Sequence, residues 1–158
     1  MIFVTLGSQK FQFNRLLKAI DEQIAEGKIT DCIFAQIGYS DYKPNNYKFK
    51  QFLDREEFVH MQEKATIVIA HGGTGAIVGA LKNGKKVIAV PRLAKYGEHV
   101  DDHQLQIVRQ FSELNLISEC YDCQVLYSVV DSIKQLNFCK YISNTQKIID
   151  SIDLFING

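Results

Sequence analysis

The sequence predicts an α/β fold built on a doubly wound, mostly parallel sheet. Short apolar runs rich in β-branched residues alternate with longer segments whose apolar residues recur at helical spacing. The clearest unit covers residues 66–90, where a strand, a glycine-rich turn, a helix and a second strand follow one another. The chain has 158 residues, the size of one ordinary domain, and we expect one domain over residues 1–158.

The first half of the chain contains three predicted strands and two predicted helices. Residues 2–6 form an apolar β-rich run that ends at Gly7 and Ser8, which predicts a strand and then a loop. A helix follows, with apolar residues at positions 13, 16, 17, 20 and 24 and with Gly27 at its end. Residues 31–38 predict a strand, residues 39–50 a loop with a short strand around 47–52, and residues 55–65 an amphipathic helix.

In the second half of the chain, predicted strands and helices continue to alternate. Residues 66–70 predict a strand, residues 71–75 a turn, residues 76–83 a helix and residues 87–90 a strand that Pro91 ends. Helices are predicted over residues 101–111 and 124–136, with a short strand over 116–120 between them. A last helix over residues 144–156 carries an apolar stripe, which either covers the domain's own sheet or docks a partner.

Composition excludes several classes of protein. Eighteen basic and eighteen acidic residues cancel, so bulk charge does not favour a nucleic-acid partner. No apolar run approaches the ~20 residues of a membrane helix, and the first residues do not resemble a signal peptide, so we expect a cytoplasmic protein. The four cysteines are scattered apart from Cys120 and Cys123, and we expect reduced structural thiols.

The turn at residues 71–75 is the strongest candidate for a binding site. It consists of His71, Gly72, Gly73, Thr74 and Gly75, between a predicted strand and a predicted helix. Glycines there let backbone N–H groups approach a phosphate at the positive end of the helix. The alternative is a tight turn that needs glycine for its backbone angles alone.

Three other patterns fit known motifs incompletely. Gly79 to Lys86 imitates a phosphate-binding P-loop, but Lys86 stands where Ser or Thr must hold magnesium. Gly73 to Gly79 imitates a dinucleotide fingerprint without the acidic ribose ligand; Arg92 after the next strand suits NADP, so this reading stays an alternative. His99 and His103 have i,i+4 spacing, but spacing supplies no third ligand, and we expect no metal.

Three segments in order carry a family resemblance: residues 71–84, residues 84–92, and the run Gly-Glu-His-Val-Asp-Asp-His-Gln at 97–104. Together they resemble the glycosyltransferase family 28 C-terminal domain, the nucleotide-sugar-binding half of GT-B glycosyltransferases. Within that group the chain is most similar to small bacterial capsule and exopolysaccharide subunits. It is more distantly similar to the soluble subunit of the dolichol-linked GlcNAc transferase.

The resemblance implies a Rossmann-like domain, one half of a GT-B fold, that binds the donor. The residues that would hold the donor diphosphate are Gly7, Ser8, His71, Gly72, Gly73, Thr74 and Gly75. Those that would bind donor-sugar hydroxyls are Asp101, Asp102 and Gln104, with Glu98, His99 and Arg92 as further candidates. The family usually carries an acidic ribose ligand on the helix after the turn. This chain has Gly79 there, and Glu98 is the candidate substitute.

The implied reaction transfers a hexose, of galactose or GlcNAc type, from a UDP-sugar to a lipid-linked acceptor in polysaccharide biosynthesis. It implies no cofactor and no metal. The catalytic base would come from a membrane-associated, acceptor-binding partner subunit, which would hold the chain at the inner face of the membrane. Two alternatives remain: a non-catalytic enhancer of a partner glycosyltransferase, and an NADP-binding oxidoreductase domain.

Overall fold

A six-stranded sheet forms the centre of the structure, a computed structural model that describes residues 1–143. Its strands are β1 (Ile2–Thr5), β2 (Ile33–Gln36), β3 (Lys48–Lys50), β4 (Ile67–His71), β5 (Lys86–Val90) and β6 (Ser118–Glu119). They lie in the order β3-β2-β1-β4-β5-β6, and each pairing is parallel. The predicted doubly wound sheet is confirmed.

Five α-helices cover the two faces of this sheet. They are α1 (Asn14–Ala25), α2 (Arg55–Lys64), α3 (Thr74–Lys82), α4 (His103–Glu113) and α5 (Leu126–Gln135). Buried residues of α1 and α5 belong to one apolar cluster, and buried residues of α3 and α4 belong to the other, against which α2 also packs. Helices on both faces are the arrangement that right-handed crossovers between parallel strands produce.

The central strands β1, β4 and β5 are mostly apolar because both of their faces are buried. Ile67 and Ile69 of β4 belong to the cluster with α1 and α5, whereas Val68 and Ala70 belong to the cluster with α3 and α4. β1 alternates in the same way. Side chains of a strand point alternately to opposite faces, so a doubly covered strand is a continuous apolar run.

Helix boundaries differ from the sequence prediction by one or two residues, for local reasons. The side chain of Asp54 accepts a hydrogen bond from the Glu57 N–H at 2.8 Å, and this capping box starts α2 at Arg55. α3 begins at Thr74 rather than at residue 76, so Thr74 and Gly75 belong to its first turn. α4 begins at His103 rather than at residue 101, because Asp102 occupies the N-cap position.

The order of connections reverses between β1 and β4. From β1 the chain moves outward to β2 and β3, and from β4 it moves outward in the other direction to β5 and β6. The loops after β1 and β4 therefore separate and leave a crevice at the carboxyl ends of these two strands. In open α/β sheets this is where ligands bind.

Two further sequence expectations concern cysteines and the last helix. Cys120 and Cys123 are buried, and burial raises their pKa to about 12 and about 11, so both thiols stay protonated at neutral pH. The predicted helix over residues 144–156, with its apolar stripe, lies outside the described residues. Within residues 1–143 no helix has the length and apolar character needed to cross a bilayer.

A pair of glycine substitutions tests the packing of α4 against the turn after β4. A Cβ atom at Gly72 would lie 2.8 Å from Gln104 Cβ and 3.0 Å from Val108 Cγ2, whereas a Cβ at Gly79 meets nothing within 4 Å. We expect Gly72→Ala to lower the free energy of unfolding by about 1–3 kcal/mol, because α4 must shift. Gly79→Ala should raise it by about 0.5–1 kcal/mol, because alanine favours the interior of a helix.

Chemical denaturation of both variants measures these changes against the wild type. Equal effects of the two substitutions would show that the backbone at Gly72 does not limit the approach of α4.

Candidate functional site

A cleft of about 600 Å³ lies at the carboxyl ends of β1 and β4. The loop after β1 lines one side of it, and the first turn of α3 lines the other. The residues that bound it are Thr5, Gly7, Ser8, Gln9, Gln36, Phe58, His71, Gly73, Thr74, Gly75, Ala76, His99, His103, Gln104 and Ile107. Tertiary folding thus joins the Gly7–Ser8 loop and the glycine-rich turn, more than sixty residues apart, as the sequence predicts.

The imidazole of His71 fills the space between the two loops. A Cβ atom at Gly7 would lie 2.7 Å from His71 Cε1, and one at Gly73 would lie 2.4 Å from His71 Nε2. Gly7 also has φ of +72°, which side-chain-bearing residues rarely adopt. Both glycines are therefore required by the ring of His71, which sets the distance between the loops.

His71 is neutral at physiological pH. Burial lowers its pKa to about 4, and the nearby charge of Arg92 adds to this effect. Its Nδ1 lies 3.5 Å from the carbonyl oxygen of Thr5. The ring lines the cleft and separates the two loops, and its expected role as a phosphate ligand stays a prediction.

The N-terminus of α3 is the strongest anion-binding feature of the cleft. Gly73 occupies the N-cap position, no side chain of the described residues caps this helix, and its first turn contains no acidic residue. The first N–H groups of a helix have no partner within the helix, and they carry its positive end charge. Thr74, Gly75 and Ala76 therefore present unpaired amides and a positive field to the cleft.

Gln104 places a side-chain amide on the cleft wall. Its Oε1 accepts a hydrogen bond from the backbone N–H of Arg92 at 3.0 Å, and this contact fixes the orientation of the amide. The Nε2 group has no hydrogen-bond acceptor among the described residues and remains available to a ligand. Gln104, which the resemblance placed at the donor sugar, thus offers its Nε2 donor to a ligand.

Arg92 lies beneath the loop after β1 rather than in the cleft. Its Nη2 donates to the carbonyl oxygens of Leu6 at 2.8 Å and Phe11 at 3.3 Å, on either side of that loop. Within the described residues Nε and Nη1 have no partner, and burial lowers the pKa of the guanidinium to about 10. Arg92 therefore contributes a buried positive charge that holds the loop, and it does not line the cleft.

Glu98 does not reach the cleft, so it is not a substitute for the missing ribose ligand. Its fully buried carboxylate pairs with Arg15, with Nε to Oε1 at 2.9 Å and Nη2 to Oε2 at 3.0 Å. It also accepts from the Leu93 N–H at 2.9 Å. Gly79 is partly exposed, has open space beside it and is not part of the cleft wall. The ribose contact stays a prediction without an assigned residue.

The two aspartates expected at the donor sugar instead organise the loop before α4. Asp102 Oδ1 accepts from the Ala94 N–H at 2.7 Å. Asp101 Oδ1 accepts from the His103 N–H at 3.1 Å and contacts the His103 ring at Nδ1. Neither residue lines the cleft, whereas His99 and His103 do. Within residues 97–104, the two histidines and Gln104 therefore line the cleft, whereas the two aspartates stabilise the loop before α4.

Comparison with known protein families matches residues 1–138 to the glycosyltransferase family 28 C-terminal domain. Among curated proteins, the UDP-N-acetylglucosamine transferase subunit ALG13 of Candida albicans is 31% identical over 101 residues. The aligned part covers 61% of this chain and 29% of that protein, so the chain spans less than a third of this relative.

Three solved structures share the fold at low sequence identity. The glycotransferase of kitacinnamycin has a TM-score of 0.64 at 18% identity, over 85% of this chain and 35% of that protein. MurG of Acinetobacter baumannii has a TM-score of 0.60 at 17% identity, over 85% of this chain and 41% of MurG. SnogD of Streptomyces nogalater, a glycosyltransferase, has a TM-score of 0.56 at 19% identity, over 78% and 31%. This chain therefore corresponds to one part of each larger protein.

The buried neutral state of His71 predicts a loss of stability in acid. The unfolded chain binds a proton near pH 6.5, whereas the folded protein binds it only near pH 4, so stability falls as the pH decreases through this window. Between pH 7 and 4.5 the wild type should lose about 2 kcal/mol more free energy of unfolding than His71→Gln. Urea unfolding at both pH values measures this difference, and parallel losses in the two proteins would contradict the neutral assignment.

The ion pair between Arg15 of α1 and Glu98 in the loop before α4 predicts a second stability change. Glu98→Gln should lower the free energy of unfolding by about 3 kcal/mol, because Arg15 keeps its charge and loses a buried carboxylate. Glu113→Gln removes the partner of Arg109 in an exposed pair and should cost less than about 1 kcal/mol. Thermal unfolding compares the two variants, and similar costs would show that the Glu98 pair contributes no more than a surface pair.

Proposed function

This chain belongs to the glycosyltransferase family 28 C-terminal domain family, and we propose that it binds the UDP-sugar donor of a glycosyltransferase. It has the fold of one half of a GT-B enzyme. The observation that carries the proposal is the uncapped N-terminus of α3, which faces the Gly7–Ser8 loop across the cleft. A helix end of this kind, at the reversal point of a parallel sheet, suits a nucleotide diphosphate.

The same geometry suits the chemistry of sugar transfer. When the bond to the sugar breaks, negative charge develops on the departing UDP. Fixed amides of Thr74, Gly75 and Ala76 stabilise that charge without having to reorient, and they accelerate transfer if they hold it more tightly than the intact donor. In this proposal the field of the helix takes the place that a bound metal holds in other transferases, and no cofactor is required.

The finer points of the proposal concern the sugar and the acceptor. We propose that Gln104 Nε2 donates a hydrogen bond to a hydroxyl of the transferred hexose, which its position on the cleft wall supports. The relative from Candida albicans is a subunit of a UDP-N-acetylglucosamine transferase, which supports GlcNAc over galactose. We propose a lipid-linked acceptor and a role in polysaccharide biosynthesis, as the resemblance implies.

We also propose that a second, membrane-associated subunit binds the acceptor and supplies the general base. The chain corresponds to about two-fifths or less of each similar solved structure, and its curated relative is named as a subunit. The cleft lies at the carboxyl ends of the central strands. Binding sites often form between two domains. The partner would then bring this chain to the inner face of the membrane.

A charge placed at the N-terminus of α3 tests donor binding. Thr74 is exposed at the first position of the helix, where glutamate favours the helix by about 0.3–1 kcal/mol. Thr74→Glu should therefore fold normally but weaken UDP about tenfold or more, because its carboxylate repels the diphosphate and competes for the amides. Gln106→Glu adds the same charge to an exposed position of α4 outside the cleft and should leave UDP affinity unchanged.

Isothermal titration with UDP and with NADP gives the measurement. UDP binding that Thr74→Glu leaves intact would overturn the assignment of the helix end. Tight binding of NADP without UDP would favour the oxidoreductase alternative.

The two-subunit proposal predicts a division between binding and turnover. The purified chain alone should bind UDP yet transfer no sugar from UDP-GlcNAc to a polyprenyl-linked acceptor in detergent. Transfer should appear when membranes from the cells of origin, which would carry the second subunit, are added. Full transfer by the isolated chain would contradict the need for a partner. If the chain binds UDP but Thr74→Glu leaves the rate of transfer with the added membranes unchanged, the enhancer alternative is favoured.

A further inference from the structure

Three side chains at the rim of the cleft form a cluster that the proposed donor contacts do not use. His99, Asp101 and His103 each offer one donor atom, and these atoms lie within 4.8 Å of one another. The Nδ1 atoms of both rings approach the same oxygen of Asp101: that of His99 lies 3.4 Å away, and that of His103 is in direct contact. Spacing alone left the histidine pair without a third ligand, and the bend before α4 supplies it.

Packing fixes His99, whereas Asp101 and His103 are exposed and contact each other. The ring of His99 lies between those of Phe11 and His103, with ring centroids 4.6 Å and 4.7 Å away, and its side chain is only 9% exposed. Asp101 is held by the His103 N–H at the start of α4. Ligands that are fixed by packing and backbone bonds lose little entropy when an ion binds.

We propose, against the expectation from spacing alone, that His99, Asp101 and His103 bind a divalent transition-metal ion of the Zn²⁺ type. Two imidazole nitrogens and one carboxylate oxygen form a donor set that suits Zn²⁺, Co²⁺ and Ni²⁺, whereas Mg²⁺ and Ca²⁺ prefer oxygen ligands. The ion contacts the Asp101 oxygen and both nitrogens that now approach it.

Three protein ligands leave one position of a tetrahedral ion open. Because His99 and His103 line the cleft, this position is open to water or to an anionic oxygen bound there. The ion therefore adds positive charge to the cleft. Metal binding itself needs no nucleotide and stands apart from the proposed function.

Titration of the chelator-treated full chain with Co²⁺ tests the site in the absence of UDP. We expect one equivalent to bind with the visible absorption of a four-coordinate ion, with displacement by Zn²⁺ and none by excess Mg²⁺. His103→Ala and Asp101→Asn should each weaken Co²⁺ at least about tenfold, since losing even a second-shell partner typically costs 10–100-fold. Asn keeps a side-chain oxygen that can accept from the His103 N–H, so this variant removes only the charge.

His60→Ala is the matched control, because His60 is exposed on α2 and outside the cluster. It should bind Co²⁺ as the wild type does. The proposal is overturned if the wild type gives no four-coordinate spectrum, or if His103→Ala and Asp101→Asn, shown by circular dichroism to be folded, bind as tightly as His60→Ala. Because UDP is absent, a negative result leaves the donor-binding proposal untouched.

Discussion

The packing of one neutral imidazole between two glycine-containing loops is the constraint on which the site depends. His71 fills the space that side chains at Gly7 and Gly73 would need, and its Nδ1 faces the carbonyl of Thr5 at the end of β1. The ring thereby sets the width of the crevice at the point where the sheet reverses direction. Close-packed protein interiors deform little. This contact therefore holds the amides of α3 and the loop after β1 at a defined separation.

A buried positive charge lies close to this packing. The buried guanidinium of Arg92 ties both sides of the loop after β1 through the carbonyls of Leu6 and Phe11, and two of its nitrogens keep no partner in the described part of the chain. The nearby carboxylate of Glu98 is committed to Arg15. The field of Arg92 and the end of α3 therefore act in the same direction, which suits an anionic ligand and disfavours protonation of His71.

Residues 97–104 have two roles: some stabilise the chain before α4, and others line the cleft. Glu98, Asp101 and Asp102 anchor the chain between β5 and α4, through Arg15, the start of α4 and the Ala94 N–H. Gln104 and the two histidines are left to face the cleft. The family resemblance assigned Asp101 and Asp102 to the donor sugar, and Glu98 was the candidate ribose ligand. A carboxylate beside an arginine or an unpaired backbone N–H is satisfied there first, since leaving those groups unpaired costs more.

The sequence by itself determined the order and type of the elements, because periodicity, glycine stops and caps are local signals. β4, the glycine-rich turn and α3 could be predicted from residues 66–84 alone. Tertiary structure decided the protonation of His71, the burial of Glu98 and the third member of the cluster around His99. Thr5 lies 66 residues before His71, and Arg15 lies 83 residues before Glu98. The ionisation and availability of a polar group depend on its neighbours in space, and for these residues the fold supplies them from distant parts of the chain.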